Sequence, residues 1–534
     1  MSILLFIKNS FTIARIYITK IKWILKLDFK IKKYILKLYK NMYHRRRKID
    51  TMWLKRNDAK RFICMIITIV ISVYPMSLSP VWNGTIPGHR DQYERMAQSI
   101  LNGHLYLEYE DVDPRLSEME NPYDPQARKE LGIYYHWDHA FYNGKYYMYF
   151  GIVPVVLLFL PYQLLTGNAL TTYKATQIFT VGTILAIFAL FDFLRKKFFP
   201  KMPFDLYLIL SMVLSFVSVW YAIAAPALYC TAIMSAVCME IISLNMMVRV
   251  VWDSEQKNGR KMAELSGSFL CASLAFGCRP TIALSGILQI MLFYLHLHEL
   301  KSKKKSMKAC SGTLRKRRRP SMCCILSAGI PCLVTAILLM WYNYARFGSI
   351  WEFGQHYQLT VADQRLYSLF AGFRLDKIIN GLVYQFASWS PIQGKFPYVS
   401  YEGILFAFPV FWCIAAFLQD SVKKEIKENH LTAIINTLIA LIIGITVFDS
   451  VYTPYMVTRY QLDVNFLLGI ACFVAVGFRC ETAKNRGWNR FVWITAVMTL
   501  LILLLLILVP YDGNFTEQNP QILTQVEKMI FWWR

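Results

Sequence analysis

The chain has 534 residues, of which 55% are hydrophobic and 15% aromatic, while only 17% are charged. This composition excludes an ordinary soluble enzyme and is typical of a helical membrane protein. The net charge of +25 comes from two segments, because residues 1–61 carry +15 and residues 301–319 carry +10. Both segments flank apolar runs, so we expect them to face the cytoplasm and anionic lipid headgroups rather than a nucleic acid.

The first 61 residues form a basic amphipathic segment. Isoleucines at positions 21, 24, 31 and 35 repeat every three to four residues or a multiple of that spacing, and lysines at 26, 30, 33, 37 and 40 follow the same period on the other side. This pattern predicts a helix that lies on the inner membrane surface without crossing it.

Apolar runs that can cross about 30 Å of hydrocarbon follow from residue 62 to residue 510. They lie at 62–80, 150–166, 172–194, 204–222, 227–250, 265–298, 322–342, 402–419, 431–450, 462–479 and 491–510. We therefore predict an all-α polytopic membrane protein with about 11 transmembrane helices, within a range of 11–13.

Residues 265–298 are long enough for two spans, but we count them as one broken helix. This choice places the basic segments 45–61 and 301–319 together in the cytoplasm. It also places RKKFFPK (195–201) outside, against the rule that basic loops stay in the cytoplasm.

Three polar segments are predicted to be extracytoplasmic: the loops 81–149 and 343–401, with short surface helices, and a short tail at 511–534. The 12 cysteines avoid both loops and the tail, so no disulfide framework is expected. The first loop is longer than loops usually are without a function.

Asp91 begins a short amphipathic helix in DQYERMAQSILNG, with Glu94 as the next acidic residue. The helix has apolar residues at 93, 96, 97, 100 and 101 on one face. Asp91 is either an N-cap of this surface helix or a catalytic base that points into a cavity at the membrane surface.

A second polar cluster lies in YYHWDHAFYNGKYYMYF, which runs into the predicted second span. Asn143-Gly144 predicts a tight β-hairpin with a type I′ turn. An aromatic belt at headgroup depth explains the tyrosines, but it does not explain His136, Asp138, His139 and Lys145.

Several basic residues at the predicted outer side are candidate phosphate ligands, since guanidinium and ammonium groups bind phosphate oxygens. They are Arg279 in CRPT, Arg346, Arg365, Arg374 and Lys395 in the second outer loop, and Arg459 in VTRYQLD. Each could instead contact lipid headgroups, and Arg279 could cap a turn.

Asp111 and Asp113 imitate the DxD motif of metal-dependent sugar transferases. A single DxD in an acidic loop is a weak signal.

Five motifs taken together resemble the GT-C superfamily of integral-membrane glycosyltransferases. They are DQYERMAQSILNG, NGKYYMYFGIVP, CRPT, WYNYARFG and TRYQLD, in this order over most of residues 60–480. The bacterial branch that they resemble includes protein mannosyltransferases, the lipid A aminoarabinose transferase and the RgtA/B/C/D-like enzymes.

The resemblance implies a multi-pass plasma-membrane enzyme with an extracytoplasmic active site and a polyprenyl-phosphate-linked sugar as donor. The acceptor would be an extracytoplasmic glycan, lipid or protein. The catalytic base of the family maps onto Asp91, with Glu94 or Asp138 as assisting acids, and Lys145, Arg279, Arg346, Lys395 and Arg459 would bind the lipid phosphate. Because Gln92 follows Asp91 where relatives often have a second acid, we expect no cofactor and do not favour a divalent metal.

Other functions remain open at this point. A transporter or lipid-linked-glycan flippase would place its charges at the bilayer midplane and often contains repeats, neither of which is evident here. A polysaccharide polymerase or ligase would use Arg and His in a late outer loop. A structural or regulatory membrane protein is a further alternative.

Overall fold

A computed structural model describes residues 56–77, 91–226, 228–253, 255–311, 320–367, 373–482, 486–510, 516 and 519–533. Contacts divide the chain into two units, Met1–Lys60 and Arg61–Arg534, and nearly all described residues belong to the second. The amphipathic helix predicted for residues 1–61 lies almost entirely outside the described residues.

Most of the first half of the described chain is helical. Its helices and strands are α1 (Arg56–Met76), α2 (Gln92–Leu101), α3 (Pro125–Glu130), β1 (Ala140–Tyr142), β2 (Lys145–Tyr147), α4 (Val155–Thr166), α5 (Thr172–Phe198), α6 (Phe204–Ala224), α7 (Leu228–Trp252) and α8 (Asn258–Phe276). Arg115–Glu118 adds one short helical turn.

The second half continues with α9 (Ile287–Ser311), α10 (Pro320–Phe347), α11 (Leu375–Leu382), α12 (Asp420–Glu428), α13 (Thr432–Tyr452), α14 (Leu462–Thr482), α15 (Arg486–Leu506) and α16 (Pro520–Ile530). Shorter helical pieces are Pro280–Ala283, Leu284–Gly286, Gln364–Leu366, Val383–Ala387, Ile404–Ala407, Pro409–Leu418 and Thr458–Gln461.

Among the described residues, nine helices are long and apolar enough to cross a membrane. This supports the predicted all-α polytopic class. Helix α14 lies at the centre of the bundle, with its most apolar stretch entirely buried, whereas α1 and α10 are largely exposed and form the periphery. Exposed apolar side chains on peripheral helices are what a hydrocarbon environment favours.

Small polar side chains join the buried helices. Asn245 of α7 donates to the Ala186 carbonyl of α5 at 2.7 Å, and Ser243 donates to the Ser268 carbonyl of α8 at 2.8 Å. Gln289 donates to Glu240 at 2.8 Å. Within hydrocarbon such contacts help to hold helices together, because apolar packing alone gains little against lipid tails.

The predicted span at 150–166 does not run through the bundle. Its helix α4 has 12 residues, about 18 Å at 1.5 Å per residue, which is short for a crossing. Tyr93 of α2 contacts both Phe150 and Phe159, at ring-centroid distances of 6.3 and 5.3 Å. Gln163 then donates to Gln98 of α2 at 2.5 Å. Helix α4 therefore lies along α2 at one end of the bundle, which we call the loop end.

The prediction of one broken helix over 265–298 is also wrong. The chain reverses at 277–279, so that α8 and the start of α9 run antiparallel. Phe269 and Phe293 approach to a ring-centroid distance of 5.4 Å, and a Cβ on Gly286 would lie 3.8 Å from that of Ala272. In these two pairs, the later residue in α8 contacts the earlier residue in the following segment, as expected for two antiparallel helices joined by a turn.

The structure also shows at which end of the bundle RKKFFPK (195–201) lies. Gln177, near the start of α5, donates to Ser77 after the end of α1, and Asp192 pairs with Arg61 at 2.5 Å. Helices α1 and α5 are therefore adjacent and antiparallel. The basic end of α5 lies with the beginning of α1, at the end of the bundle opposite to the loop end.

Candidate functional site

Polar residues from several parts of the chain meet at the loop end. They come from α2, from the segment around Tyr109, from the segment around the β1–β2 hairpin, from the first turn of α7, from the segment around Gln358 and from the turn that precedes α14. The hairpin itself is confirmed, since Ala140–Tyr142 pairs antiparallel with Lys145–Tyr147 and Asn143 and Gly144 have φ values of 48° and 71°. Positive φ at both positions is what a type I′ turn requires.

Asp91 precedes α2, but its side chain makes no capping hydrogen bond. One carboxylate oxygen accepts from Arg95 at 2.7 Å, while the other is buried without a hydrogen-bond partner. About a third of the Asp91 side chain is exposed. The N-cap interpretation therefore lacks its hydrogen bond, and one Asp91 oxygen has no hydrogen-bond partner among the described residues.

Arg95 connects Asp91 to an aromatic and histidine cluster. Its guanidinium lies 4.4 Å from the centroid of the Tyr109 ring, and the Tyr109 hydroxyl lies 2.7 Å from His139 Nε2. Burial, with the nearby Asp91 carboxylate, raises the pKa of Tyr109. Tyr109 therefore stays a neutral phenol that can donate to His139. His136 stacks on Tyr109 at 3.7 Å and contacts Asp111 at 3.0 Å.

Glu94 has a different role from Asp91. Its carboxylate accepts from the backbone N–H of Thr172 and lies 2.7 Å from the Thr172 hydroxyl. It thus ties α2 to the first residue of α5, where a carboxylate is favoured by the helix dipole. Burial raises the pKa of Glu94 to about 7. Both oxygens are occupied, which fits an anchoring role better than the predicted assisting acid.

Asp138 is buried, and hydrogen bonds engage both its carboxylate and its backbone carbonyl. Its carboxylate accepts from Gln358 at 3.0 Å and from the hydroxyl of Tyr229. Its carbonyl accepts from Gln92 at 3.0 Å, and its φ of 55° lies in the left-handed region. Such a backbone conformation costs on the order of 1–3 kcal/mol and persists only where surrounding contacts enforce it.

Arg459 lies across Tyr229 from Asp138. Its guanidinium carbon is 4.0 Å from the centroid of the Tyr229 ring and 5.5 Å from that of Tyr460. Within the described part of the chain, no carboxylate forms an ion pair with Arg459 and no acceptor takes a hydrogen bond from it. Among the described residues, aromatic faces are therefore its direct contacts that favour a positive charge.

Arg279, by contrast, is already paired. It donates twice to Asp463 through Nε, at 3.0 and 2.9 Å, and once through a terminal nitrogen at 2.7 Å. Asp463 is fully buried, and Asp449 of α13 lies beside it. This pairing joins the reversal after α8 to α14, so the structure gives Arg279 an internal partner in place of the predicted lipid phosphate.

The remaining predicted cations do not gather around Arg459. Arg346 is buried, donates to the Met148 carbonyl at 2.9 Å and stacks 3.8 Å from Tyr342, so it fixes the end of α10. Lys145 is exposed in the hairpin, 4.1 Å from the centroid of the Tyr106 ring, and Lys395 is exposed in the second loop.

The two acids of the DxD motif have separate partners. Asp111 contacts His136, and Asp113 pairs with Arg115 at 2.6 Å, a hydrogen-bonded contact that lowers the pKa of Asp113 to about 2. Among the described residues, no three His, Cys, Asp or Glu side chains form a group that could hold a metal ion.

An apolar cavity of about 350 Å³ lies near the end of α2. Helices α4, α8 and α10 also line it, and the lining includes Ile100, Leu105, Val156, Leu274, Leu338 and Tyr342. Val156 and Leu338 are about half exposed, so the cavity opens at the side of the bundle. A smaller apolar cavity of about 70 Å³ lies at the opposite end, away from the polar cluster.

Sequence reasoning identified Asp91, Asp138 and Arg459 but missed the residues that connect them. Gln92 and Arg95 lie within DQYERMAQSILNG but were assigned no role in catalysis or binding, and Tyr229 and Gln358 belong to none of the five motifs. Only their three-dimensional neighbours distinguish these four residues from other polar residues of surface segments. Comparisons of the chain with protein-family models, curated proteins and solved structures found no match.

Proposed function

We propose that this chain is an integral-membrane glycosyltransferase that moves a sugar from a polyprenyl-phosphate donor to an extracytoplasmic glycan, lipid or protein. One observation carries the proposal. At the loop end, the Arg459 guanidinium has no carboxylate partner among the described residues, while Asp91 keeps an unpaired carboxylate oxygen. Gln92, the residue after Asp91, donates to the Asp138 carbonyl, and Asp138 accepts from Tyr229, whose ring lies against Arg459. These contacts connect the segments that carry Asp91 and Arg459.

The proposed reaction uses these two groups in different ways. The acceptor oxygen attacks the anomeric carbon while the bond from that carbon to the phosphate oxygen breaks, so the configuration inverts. Asp91 takes the proton of the acceptor hydroxyl, a contribution of about 10²- to 10⁴-fold in similar cases. Arg459 stabilises the negative charge of the departing lipid phosphate.

The proposed orientation places the loop end outside the plasma membrane. Nine long apolar helices, together with α8 and the segment 404–418, would make eleven crossings. Pro409–Leu418 is a 3₁₀ helix, which rises about 2 Å per residue and so covers about 20 Å with few residues. Lys196, Lys197 and Lys201 would then face the cytoplasm, as the positive-inside rule favours.

The apolar cavity between α2, α4, α8 and α10 supports a lipid-linked substrate. It opens toward side chains that would face hydrocarbon, and it lies at the same end of the bundle as the polar cluster. An apolar chain could therefore enter from the bilayer while its polar head stays at headgroup depth.

Asp91→Asn tests the proposal, because an amide cannot accept the proton of the attacking hydroxyl. We expect loss of sugar transfer, by roughly 100-fold or more, with normal expression and membrane insertion. The measurement compares cell-envelope glycans in a deletion strain that is complemented with the wild-type or the variant gene.

Asp113→Asn is the matched control, since Asp113 is a loop carboxylate that pairs with Arg115. The gene with this change should restore the glycan. Full activity of Asp91→Asn would contradict the assignment of Asp91 as the catalytic base. Loss of the glycan in the deletion strain, with lipid-linked sugar trapped on the cytoplasmic face, would favour a flippase instead.

A further inference from the structure

Tyr229 lies between the two charged groups of the cluster but has no part in the proposed bond-making steps. It belongs to the first turn of α7, whereas Asp138 precedes β1 and Arg459 precedes α14. Its hydroxyl donates to the Asp138 carboxylate, and its ring face lies 4.0 Å from the Arg459 guanidinium carbon. Phe150 packs against the edge of the same ring at 5.5 Å, which limits its rotation.

The cation and the carboxylate are thus one tyrosine ring apart, yet they form no ion pair. Opposite charges attract strongly where water is scarce, so an arginine with a long flexible side chain would be expected to reach the carboxylate. Asp138 has both oxygens occupied, one by Tyr229 and the other by Gln358. The Tyr229 ring lies between the Arg459 guanidinium and the Asp138 carboxylate.

The surrounding charges make this separation consequential. Arg279 is neutralised by Asp463 through three short contacts, and Arg95 is paired with Asp91. Arg459 is therefore the cation of this cluster that is held by aromatic rings and by no described carboxylate. A pair with Asp138 would remove the charge that an incoming phosphate needs.

We infer that Tyr229 is a positioning residue that keeps the Arg459 guanidinium available to an anionic lipid phosphate by holding it away from the Asp138 carboxylate. This inference rests on the proposed function. It assigns separate tasks to the two parts of one side chain: the hydroxyl retains the carboxylate, and the ring supports the cation.

The test measures binding of undecaprenyl phosphate to the purified full-length protein in lipid nanodiscs. Tyr229→Phe keeps the ring but no longer retains the Asp138 carboxylate, so its affinity should lie between those of wild type and Tyr229→Leu. Tyr229→Leu removes both parts, so Arg459 can pair with Asp138 and the affinity should fall about tenfold. Arg459→Gln should lose at least as much.

A double variant separates positioning from mere structural support. When Asp138→Asn is added to Tyr229→Leu, the competing carboxylate is gone, and the affinity should return to within about threefold of wild type. If the Tyr229 ring only filled space, the addition of Asp138→Asn would not restore the affinity. Tyr398→Phe is the matched control, because it removes a tyrosine–carboxylate hydrogen bond of 2.5 Å to Glu527 away from this cluster.

The outcomes distinguish the two proposals. If wild-type protein does not bind undecaprenyl phosphate, the proposed function fails. If wild-type protein binds it and Tyr229→Leu binds equally well, or if Asp138→Asn does not rescue binding, the positioning role of Tyr229 is wrong while the proposed function stands.

Discussion

Three carboxylates near the loop end have different environments because different groups donate hydrogen bonds to them. Asp91 accepts from Arg95 through one oxygen, Glu94 is engaged by Thr172, and Asp138 accepts from Tyr229 and Gln358. Glu94 was expected to be an acid that assists Asp91. Their side chains instead meet separate partners, because residues three apart on a helix can still contact different neighbouring elements.

Glu94 gives a prediction about pH. Burial raises its pKa from 4.5 to about 7 in the folded state. Between these values the folded protein binds more protons than the unfolded chain, so stability falls as pH rises from about 4.5 to 7 and is constant above that. The loss is at most about 3 kcal/mol. Glu94→Gln keeps a hydrogen-bonding group without the charge, and its melting temperature in detergent should vary less with pH.

Glu118→Gln serves as the control for this measurement, since Glu118 is exposed on a short helical turn. It should reproduce the wild-type profile between about pH 5 and 8. Equal pH dependence in Glu94→Gln and wild type would show that the buried carboxylate does not control this part of the profile.

At the scale of elements, the length of an apolar run did not determine whether it crosses the bundle. The run at 150–166 became a helix along α2, and the run at 265–298 became two antiparallel helices. One close contact joins these two elements. Val153 N–H donates to the Gly277 carbonyl at 3.1 Å, which joins the segment before α4 to the reversal between α8 and α9.

Gly151 tests this junction. A Cβ at Gly151 would lie 2.1 Å from the Gly277 carbonyl oxygen, so the two backbones could not stay in contact. Gly151→Ala should lower the unfolding free energy by about 1–3 kcal/mol, the usual cost of overpacking. The measurement is the melting temperature of the purified protein in detergent.

Gly329→Ala makes the same chemical change in α10, where a Cβ would meet nothing within 4 Å. It should be neutral or stabilising by up to about 1 kcal/mol, because alanine favours the helix. Similar melting temperatures for both variants would mean that the backbones at 151 and 277 are not in close contact.

At the scale of the whole molecule, the two corrected elements change which loops share a side. The loop after α4 lies at the loop end with α2, and the basic end of α5 lies with the start of α1. The sequence-based topology had placed residues 195–201 outside. The structure instead places this basic segment at the end of the bundle opposite to the loop end.

Single cysteines in a background without native cysteines test this arrangement. Positions 111, 168 and 355 belong to the loop end, which the proposed orientation places outside the cell. Asp111→Cys, Asn168→Cys and Gln355→Cys should therefore react with an impermeant reagent in intact cells. Lys201→Cys should react only after the cells are lysed. Labelling of position 201 but not 168 in intact cells would restore the original topology and contradict the placement of α4.

The sequence alone determined the class of this protein and the position of its tight hairpin. Apolar runs must bury their backbone hydrogen bonds in helices within hydrocarbon, and Asn-Gly adopts the positive φ values that a two-residue turn needs. These are local requirements, so local residues reveal them. The sequence also identified Asp91, Asp138 and Arg459 as polar residues of interest, although it could not show which of the other cations were free.

Only the tertiary structure decided how these residues work together. Arg279 and Arg459 are both arginines at the loop end, but one meets a buried carboxylate on α14 and the other meets aromatic rings. Likewise, α4 has a typical span composition, yet it lies along α2. In each case the outcome depends on a partner from a distant part of the chain, and such a partner leaves no periodicity or spacing in the residue's own segment.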